Sequence, residues 1–336
     1  MDNTGSKKVL ILYIYEILKR YSDVNHPLTQ NEIASLVRDV YGMSCDRKTV
    51  GRNINALIEA GIDIATFDEN NEGYYLREPL FTDSEVRMLI DSVLASRYVS
   101  GKHTQELAVK LSQLATVYLT KRIPYISQAD KWIHTDNPQV FLNIELLDEA
   151  IETHRKVRFV YNRYGLDLKL HPRHDYKYEV DPYQIVCSNG RYYFVGNYDK
   201  HDGITNFRLD LITDVEVLDV KAIPFEELPY KNNTLNIAEY SKHAVNMYDG
   251  KRVAAIIKIK EERIGDVIDW FGKDIAVLPE GEDGYIHVRV TGSDNGIRMW
   301  ALQYVRLVEV LSPANLREAI RQDVAKIAEK YNRAVT

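Results

Sequence analysis

Between Leu28 and Gly61 the chain carries start and stop signals for two short helices in tandem, and these signals constrain its fold more than any other feature. Thr29 and Glu32 have capping-box spacing, and Leu28 and Ile33 stand where a hydrophobic staple closes over that box. Ile33, Leu36, Val37 and Val40 then recur at helical spacing up to Tyr41-Gly42, where a glycine suits a left-handed helix end. Asp46 is a good N-cap for a second helix, whose apolar stripe is Val50, Ile54, Leu57 and Ile58. Ile62 to Phe67, the polar turn Asp68 to Gly73 and Tyr74-Tyr75-Leu76 predict a β-hairpin directly behind the pair, which is the place of a wing. The expected module is a winged helix-turn-helix. Ahead of it, Lys7 to Tyr21 predicts a helix that stops before His26-Pro27. Its apolar stretch, Val9 to Leu18, falls well short of the roughly 20 residues a bilayer span needs. No small-residue cleavage site follows it, so it is expected to be the first buried helix of a cytoplasmic protein with no membrane partner.

With Val50, Ile54, Leu57 and Ile58 turned inward, Arg47, Lys48, Gly51, Arg52 and Asn55 face outward, with Thr49 and Asn53 at the margins. A helix of this kind can enter a major groove with its N-terminal residues on base edges or phosphates. Arginine suits guanine, asparagine suits adenine, and threonine and lysine suit phosphates. Arg47, Lys48, Thr49, Arg52 and Asn53 are therefore the candidate DNA-binding residues, with Gly51 as a place where the backbone approaches DNA. The competing reading is a solvated, charged face of a protein-interaction domain. The net charge of -6 argues against a uniformly basic coat, but recognition needs only one positive face.

Downstream, Thr82 to Tyr98 and His103 to Arg122 predict two long helices, Pro124 to Pro138 is irregular, and another helix spans Ile144 to His154. Short strands are expected at Val157–Tyr161, Leu166–His171, Tyr183–Ser188, Arg191–Tyr198, Ile204–Leu209 and Val215–Val220, with Asn189-Gly190 as a hairpin turn. Strands so closely spaced suggest a small, strongly bent sheet or barrel. From Val253 the order becomes strand, helix, strand, strand, helix, strand, which is ferredoxin-like, and a closing helix begins at Pro313. The fold class is thus α+β and multidomain. The expected domains are 1–79 for the winged helix-turn-helix, 80–140 for a helical linker, 141–222 for the barrel and 245–336 for the ferredoxin-like domain.

Three motif sets carry a family resemblance. Asp46 to Ile54, with Glu59-Ala60-Gly61-Ile62 and Gly73-Tyr74-Tyr75-Leu76, resembles the DNA-binding module of WYL-domain transcriptional regulators. That family usually has an aromatic residue where Gly51 stands and Asp where Asn53 stands. Val180-Asp181-Pro182-Tyr183, Arg191-Tyr192-Tyr193-Phe194-Val195 and Phe207-Arg208-Leu209-Asp210 resemble the WYL domain itself, with Leu211 in place of a second arginine. Met247-Tyr248-Asp249-Gly250, Phe271-Gly272, Trp300-Ala301-Leu302 and Val310 to Pro313 resemble its C-terminal WCX extension. The resemblance implies a small Sm- or SH3-like barrel that senses a single-stranded nucleic acid or nucleotide-like effector. A regulator of this kind binds double-stranded operator DNA, and since helix-turn-helix proteins commonly read paired half-sites a homodimer is expected. With no phosphate-cradling glycine loop or nucleophile motif, neither a cofactor nor an enzymatic activity is expected.

On the barrel, Tyr193 and Arg208 lie in the two motifs nearest the family pattern, with Tyr161 and Arg173 on flanking segments. Arginine beside tyrosine suits an anionic aromatic ligand, through a charge-assisted hydrogen bond and stacking. In the competing reading Tyr192, Tyr193 and Phe194 are core and Arg208 pairs with a local carboxylate. The two cysteines, Cys45 and Cys187, have no metal-like spacing, and His171 and His174 lack a completing ligand set, so no metal is expected. The alternative function is a nucleic-acid-binding accessory protein whose winged helix mediates protein contacts. Carboxylates neutralising Arg47, Lys48 and Arg52 would favour it.

Overall fold

The computed structural model describes residues 9–131, 134–188, 190–200, 204–228, 250–278 and 284–332. Lys7, Lys8, Asn189 of the expected turn and residues 247–249 of the third motif set lie outside the described residues. The chain is a mixed α/β protein that divides into two compact units, residues 1–135 and 136–336.

The first unit opens with α1 (Leu10–Tyr21), α2 (Gln30–Tyr41) and α3 (Arg47–Glu59). The Thr29 capping box forms: the Glu32 amide donates to Thr29 Oγ1 at 3.3 Å and the Thr29 amide donates to Glu32 Oε2 at 2.7 Å. Gly42 closes α2 at φ 69°, the left-handed end that its lack of a Cβ allows. Ile14, Ile17, Leu18, Ile33, Val37, Val50, Ile54 and Leu57 make one core. Val40 and Ile58 differ from expectation, at 44% and 37% exposed. Both sit in the last turn of their helices, and at 3.6 residues per turn Ile58 lies about 80° round from Val50.

The hairpin is shorter than expected. β1 (Ile64–Ala65) pairs with β2 (Tyr75–Leu76), and a helical turn, α4 (Phe67–Asn70), takes up the first half of the polar turn. The reason is a second capping box, Thr66 and Glu69, inside what the residue types alone suggest is a strand end and loop. The hairpin is pinned to the start of α2 by reciprocal backbone bonds between Leu28 and Tyr74, at 3.0 and 2.8 Å. Gly73 permits this contact, because a Cβ there would stand 2.7 Å from the Leu28 backbone.

α5 (Asp83–Ala95), α6 (Gly101–Ser112) and α7 (Val117–Arg122) complete the unit around Val86, Ile90, Leu94, Ala108 and Leu119. The expected helix from His103 to Arg122 is broken at Thr116, which caps α7 and gives its hydroxyl to Asp83 at 2.7 Å. Pro124–Lys131 is a 3-10 segment.

In the second unit α8 (Val140–Glu152) precedes a curled six-stranded sheet. Its strands are β3 (Arg155–Tyr164), β4 (Leu170–Pro172), β5 (Tyr178–Ser188), β6 (Arg191–Asn197), β7 (Ile204–Arg208) and β8 (Ile212–Lys221). The order is β4-β3-β5-β6-β7, with β8 also on β3. Phe159, Phe194, Phe207, Leu209 and Ile212 fill the curl. β5 starts five residues earlier than expected and accommodates Pro182 beside a register shift, where a missing N–H costs no ladder bond. The expected strand Leu166–His171 shrinks to β4, because residues 165–168 form a turn with Leu168 at φ 62°. Leu209–Leu211 is a 3-10 turn, so the strand ends at Arg208, one residue short of expectation, and Asp210 lies beyond it.

The C-terminal sheet comprises β9 (Arg252–Lys260), β10 (Ala276–Leu278), β11 (Tyr285–Ser293) and β12 (Glu309–Ser312), all antiparallel in the order β10-β11-β9-β12. Ile257, Ile259, Val288, Val290, Ile297 and Trp300 form its core with the helices Ile264–Phe271 and Asp294–Gln303. The helix Ala314–Asn332 closes the described chain. Among the described residues, no helix is long and apolar enough to cross a membrane.

Candidate functional site

Asp46 caps α3 twice over: it accepts the Thr49 amide at 2.8 Å and the Thr49 hydroxyl at 2.9 Å. These bonds hold its carboxyl below the ordinary range, the Arg52 charge being a minor contributor. The Thr49 hydroxyl in turn accepts from Arg52 Nη2 at 3.0 Å, so the helix end itself orients the Arg52 guanidinium. Arg47, Lys48 and Arg52 are exposed, and none of them forms an ion pair with a described carboxylate. Thr49 and Asn53 are half-buried, and the Asn53 amide is turned back onto the Thr49 carbonyl at 2.8 Å. Of the five candidate residues, three project and two serve mainly to shape the helix end.

Gly51 does not face open solvent. A Cβ there would lie 2.8 Å from Gln30 Nε2, which donates to the Tyr74 hydroxyl at 3.0 Å. The glycine makes room for a strut from α2 to the hairpin, so its expected role as a point of backbone approach is corrected. The Gln30–Tyr74 contact was not expected from sequence, although Tyr74 lies in the wing motif, and the glycine in mid-helix was the signal for it. The hairpin itself is acidic, with Asp63, Asp68, Glu69 and Glu72 exposed. Arg77 ties Asp63 and Glu69 together at 3.1 and 2.7 Å, and with the Thr66 cap draws the Glu69 carboxyl down to about 2.

In the curled sheet, Tyr193 and Arg208 are cross-strand partners and so share one face. Tyr193 is buried with Val195, packed by Val186 and Ile204. Arg208 is half-buried and grips the buried Asp210 with two bonds, Nη2 to Oδ2 at 2.7 Å and Nε to Oδ1 at 3.2 Å. The local carboxylate partner of the competing reading is therefore present. Tyr161 lies on the opposite, core side, its ring edge-on to Phe207 at 5.2 Å and to Tyr178 at 5.8 Å. Its hydroxyl accepts the Arg208 amide at 3.2 Å, and burial pushes its pKa up. Arg173 is exposed, donates its amide to the Tyr161 carbonyl at 2.9 Å, and acts with Arg208 on the Tyr161 phenol. The fold thus brings Tyr161 and Arg173 to the Arg208 backbone, while Tyr193 shares the sheet face of the Arg208 side chain.

Residues 143–217 match the WYL domain and residues 251–328 match the WCX domain. The chain carries a WYL domain and a WCX domain. Over 303 residues it is 22% identical to the uncharacterized HTH-type transcriptional regulator YobV of Bacillus subtilis (strain 168), covering 84% of this chain and 89% of that protein. Among solved structures it is similar to the proteasome accessory factor B/C (PafBC) of Arthrobacter aurescens, at 17% identity and TM-score 0.28. That match covers 99% of this chain but only about half, 51%, of the PafBC chain. A CRISPR Cas-related protein matches at 13% identity and TM-score 0.38, over 99% of this chain and 93% of that one.

Within the WYL domain, the motif Val180-Asp181-Pro182 has a structural task. Asp181 is fully buried and receives Lys156 Nζ, Asn197 Nδ2 and the Ile223 amide, each at 2.9 Å. His171 is committed to Asp167 at 2.9 Å and His174 stacks on Tyr176. Among the described residues no cluster of His, Cys, Asp and Glu could hold a metal ion.

Proposed function

We propose that this chain is a DNA-binding transcriptional regulator of the cytoplasm. In this reading, residues 1–79 are a winged helix-turn-helix with α3 as recognition helix, and 80–140 are a helical linker. Residues 141–222 are the sensing WYL barrel, and 245–336 are a ferredoxin-like WCX domain. The observation that carries the reading is the cationic face of α3: Arg47, Lys48 and Arg52 project with no described carboxylate paired to them. A protein-contact role for this helix would be favoured by neutralising carboxylates from neighbouring segments. The description of YobV as a transcriptional regulator points the same way. Helix-turn-helix proteins commonly read paired half-sites through a two-fold axis, so a homodimer is the working assembly.

The proposed effector is a single-stranded nucleic acid or nucleotide, taken by the WYL domain near Arg208, Tyr161 and Arg173. Such a ligand alters DNA affinity only if it binds one arrangement of the regulator better than another. The reading assigns no catalytic role to any residue. The test is selection: the full chain is incubated with fragmented DNA from its host and the retained fragments are sequenced. Enrichment of a recurring, two-fold-related sequence is expected. Retention of fragments without any enriched sequence contradicts operator recognition.

A further inference from the structure

Outside the WYL motifs, alternate residues of the segment leading into β5 place three rings in a ladder. His174 stacks on Tyr176 with centroids 4.9 Å apart and planes 5° from parallel, and Tyr176 follows on to Tyr178 at 5.5 Å. Tyr178 is buried and stacks on Phe159 at 5.9 Å, which anchors the inner end of the ladder in the core. The buried Tyr198 packs on Tyr178 at 4.9 Å, adding a fourth ring at the inner end. Yet Tyr176 is 42% exposed and His174 is exposed.

Cations stand beside these rings. Lys200 Nζ lies 4.1 Å from the Tyr176 centroid, and Arg173 adjoins His174, exposed and without an ion-pair partner among the described residues. In sequence the same two stretches carry three cations, Arg173, Lys177 and Lys200, against two carboxylates, Asp175 and Asp199. The ladder is continuous with Arg208 through Tyr161, whose ring meets Tyr178 and whose hydroxyl takes the Arg208 amide.

Rigid rings presented to water beside unpaired cations are what a base-stacking site with a phosphate attached requires. We propose that His174 and Tyr176, with Lys200 and Arg173, form a stacking platform for a nucleobase and its adjoining phosphate, extending the WYL site outward from Arg208. The inference rests on the reading that the WYL domain takes a nucleic-acid effector. It adds residues that the family motifs do not contain.

The test uses the full chain and a hexadeoxyadenylate carrying one 2-aminopurine, titrated at low salt with fluorescence intensity and anisotropy. Stacking quenches 2-aminopurine, so wild-type protein should bind and quench. Tyr176→Ala should weaken binding roughly 5- to 150-fold and abolish the quench, the range expected for one stacked base. Tyr176→Phe, which keeps the ring, should retain both. An abasic strand of equal length should bind as poorly as base-bearing strand binds Tyr176→Ala. AMP as competitor names the source: displacement of the probe means a mononucleotide suffices, persistence means a strand is needed, and either supports the platform. Wild-type affinity and quench in Tyr176→Ala, alongside weaker binding in an Arg208 variant, would overturn the platform while leaving the effector reading intact. No binding by the wild-type chain at low salt would remove the effector reading, and the platform with it.

Discussion

Arg208→Ala should destabilise the WYL domain itself, besides any effect on a ligand. Asp210 is only 3% exposed in its side chain, and its carboxylate accepts two bonds from Arg208. Breaking a fully buried pair by deleting one partner costs about 3–5 kcal/mol, whereas an exposed pair is worth about 0–1 kcal/mol. Arg208 is 31% exposed in its side chain, so water can partly take its place and the expected loss lies between these limits, about 2 kcal/mol. For a unit of residues 136–336 this corresponds to a fall in Tm of roughly 4–8 °C. The double variant Arg208→Ala/Asp210→Asn removes the stranded charge and should recover at least half of the loss. The assay is thermal unfolding of wild type, both single variants and the double variant, assembled as a double-mutant cycle with coupling above about 1 kcal/mol. Single variants whose effects simply add, with Arg208→Ala within about 0.5 kcal/mol of wild type, would refute the argument that this pair braces the 3-10 turn.

Three further outcomes are expected. Glu69 has its folded pKa depressed to about 2 by Arg77 and the Thr66 cap, so its contribution is present above the unfolded value near 4.5 and is lost as pH falls from there towards 2. Acid titration of stability should show this loss in the hairpin, and Glu69→Gln should flatten it. Gly73→Ala forces a Cβ to within 2.7 Å of the Leu28 backbone and should cost about 1–3 kcal/mol, with faster hydrogen exchange at the Leu28 and Tyr74 amides as the local readout. Gly51→Ala should displace the Gln30 strut and speed exchange in the hairpin while leaving the Val50-Ile54-Leu57 core intact, which near-unchanged global stability would show.

How much was legible in the sequence depended on whether a feature was local. Thr29 with Glu32, Gly42 and Asp46 mark the ends of α2 and α3 through bonds made within one turn, and those helices stand within a residue or so of the expected positions. Thr66 and Glu69 carry the same local signal for α4. Thr116 hid a helix break because its decisive partner, Asp83, is 33 residues away. The sequence placed Tyr193 and Arg208 in two motifs but not in register; strand pairing makes them neighbours, and the local carboxylate of the competing reading is Asp210, two residues on. The role of Gly51 was not legible, since it is set by Gln30 across a helix crossing. Nor was the ring ladder: Tyr178 falls ahead of the expected strand start, and Lys200 and Tyr198 reach it from beyond β6.

The central claim, that α3 is a DNA-reading helix, is tested most directly by the salt dependence of binding to the selected DNA site. Each neutralised phosphate should contribute about −0.9 to the slope of log affinity against log salt concentration. Arg52→Ala should weaken binding by about 1–3 kcal/mol with altered base preference if its guanidinium reads a base edge, or lower the slope by about one if it meets a phosphate. The triple variant Arg47→Ala/Lys48→Ala/Arg52→Ala should lose site-specific binding while melting near the wild-type temperature, because all three side chains project from the core stripe. A triple variant that binds the site with wild-type affinity and wild-type slope would contradict the account.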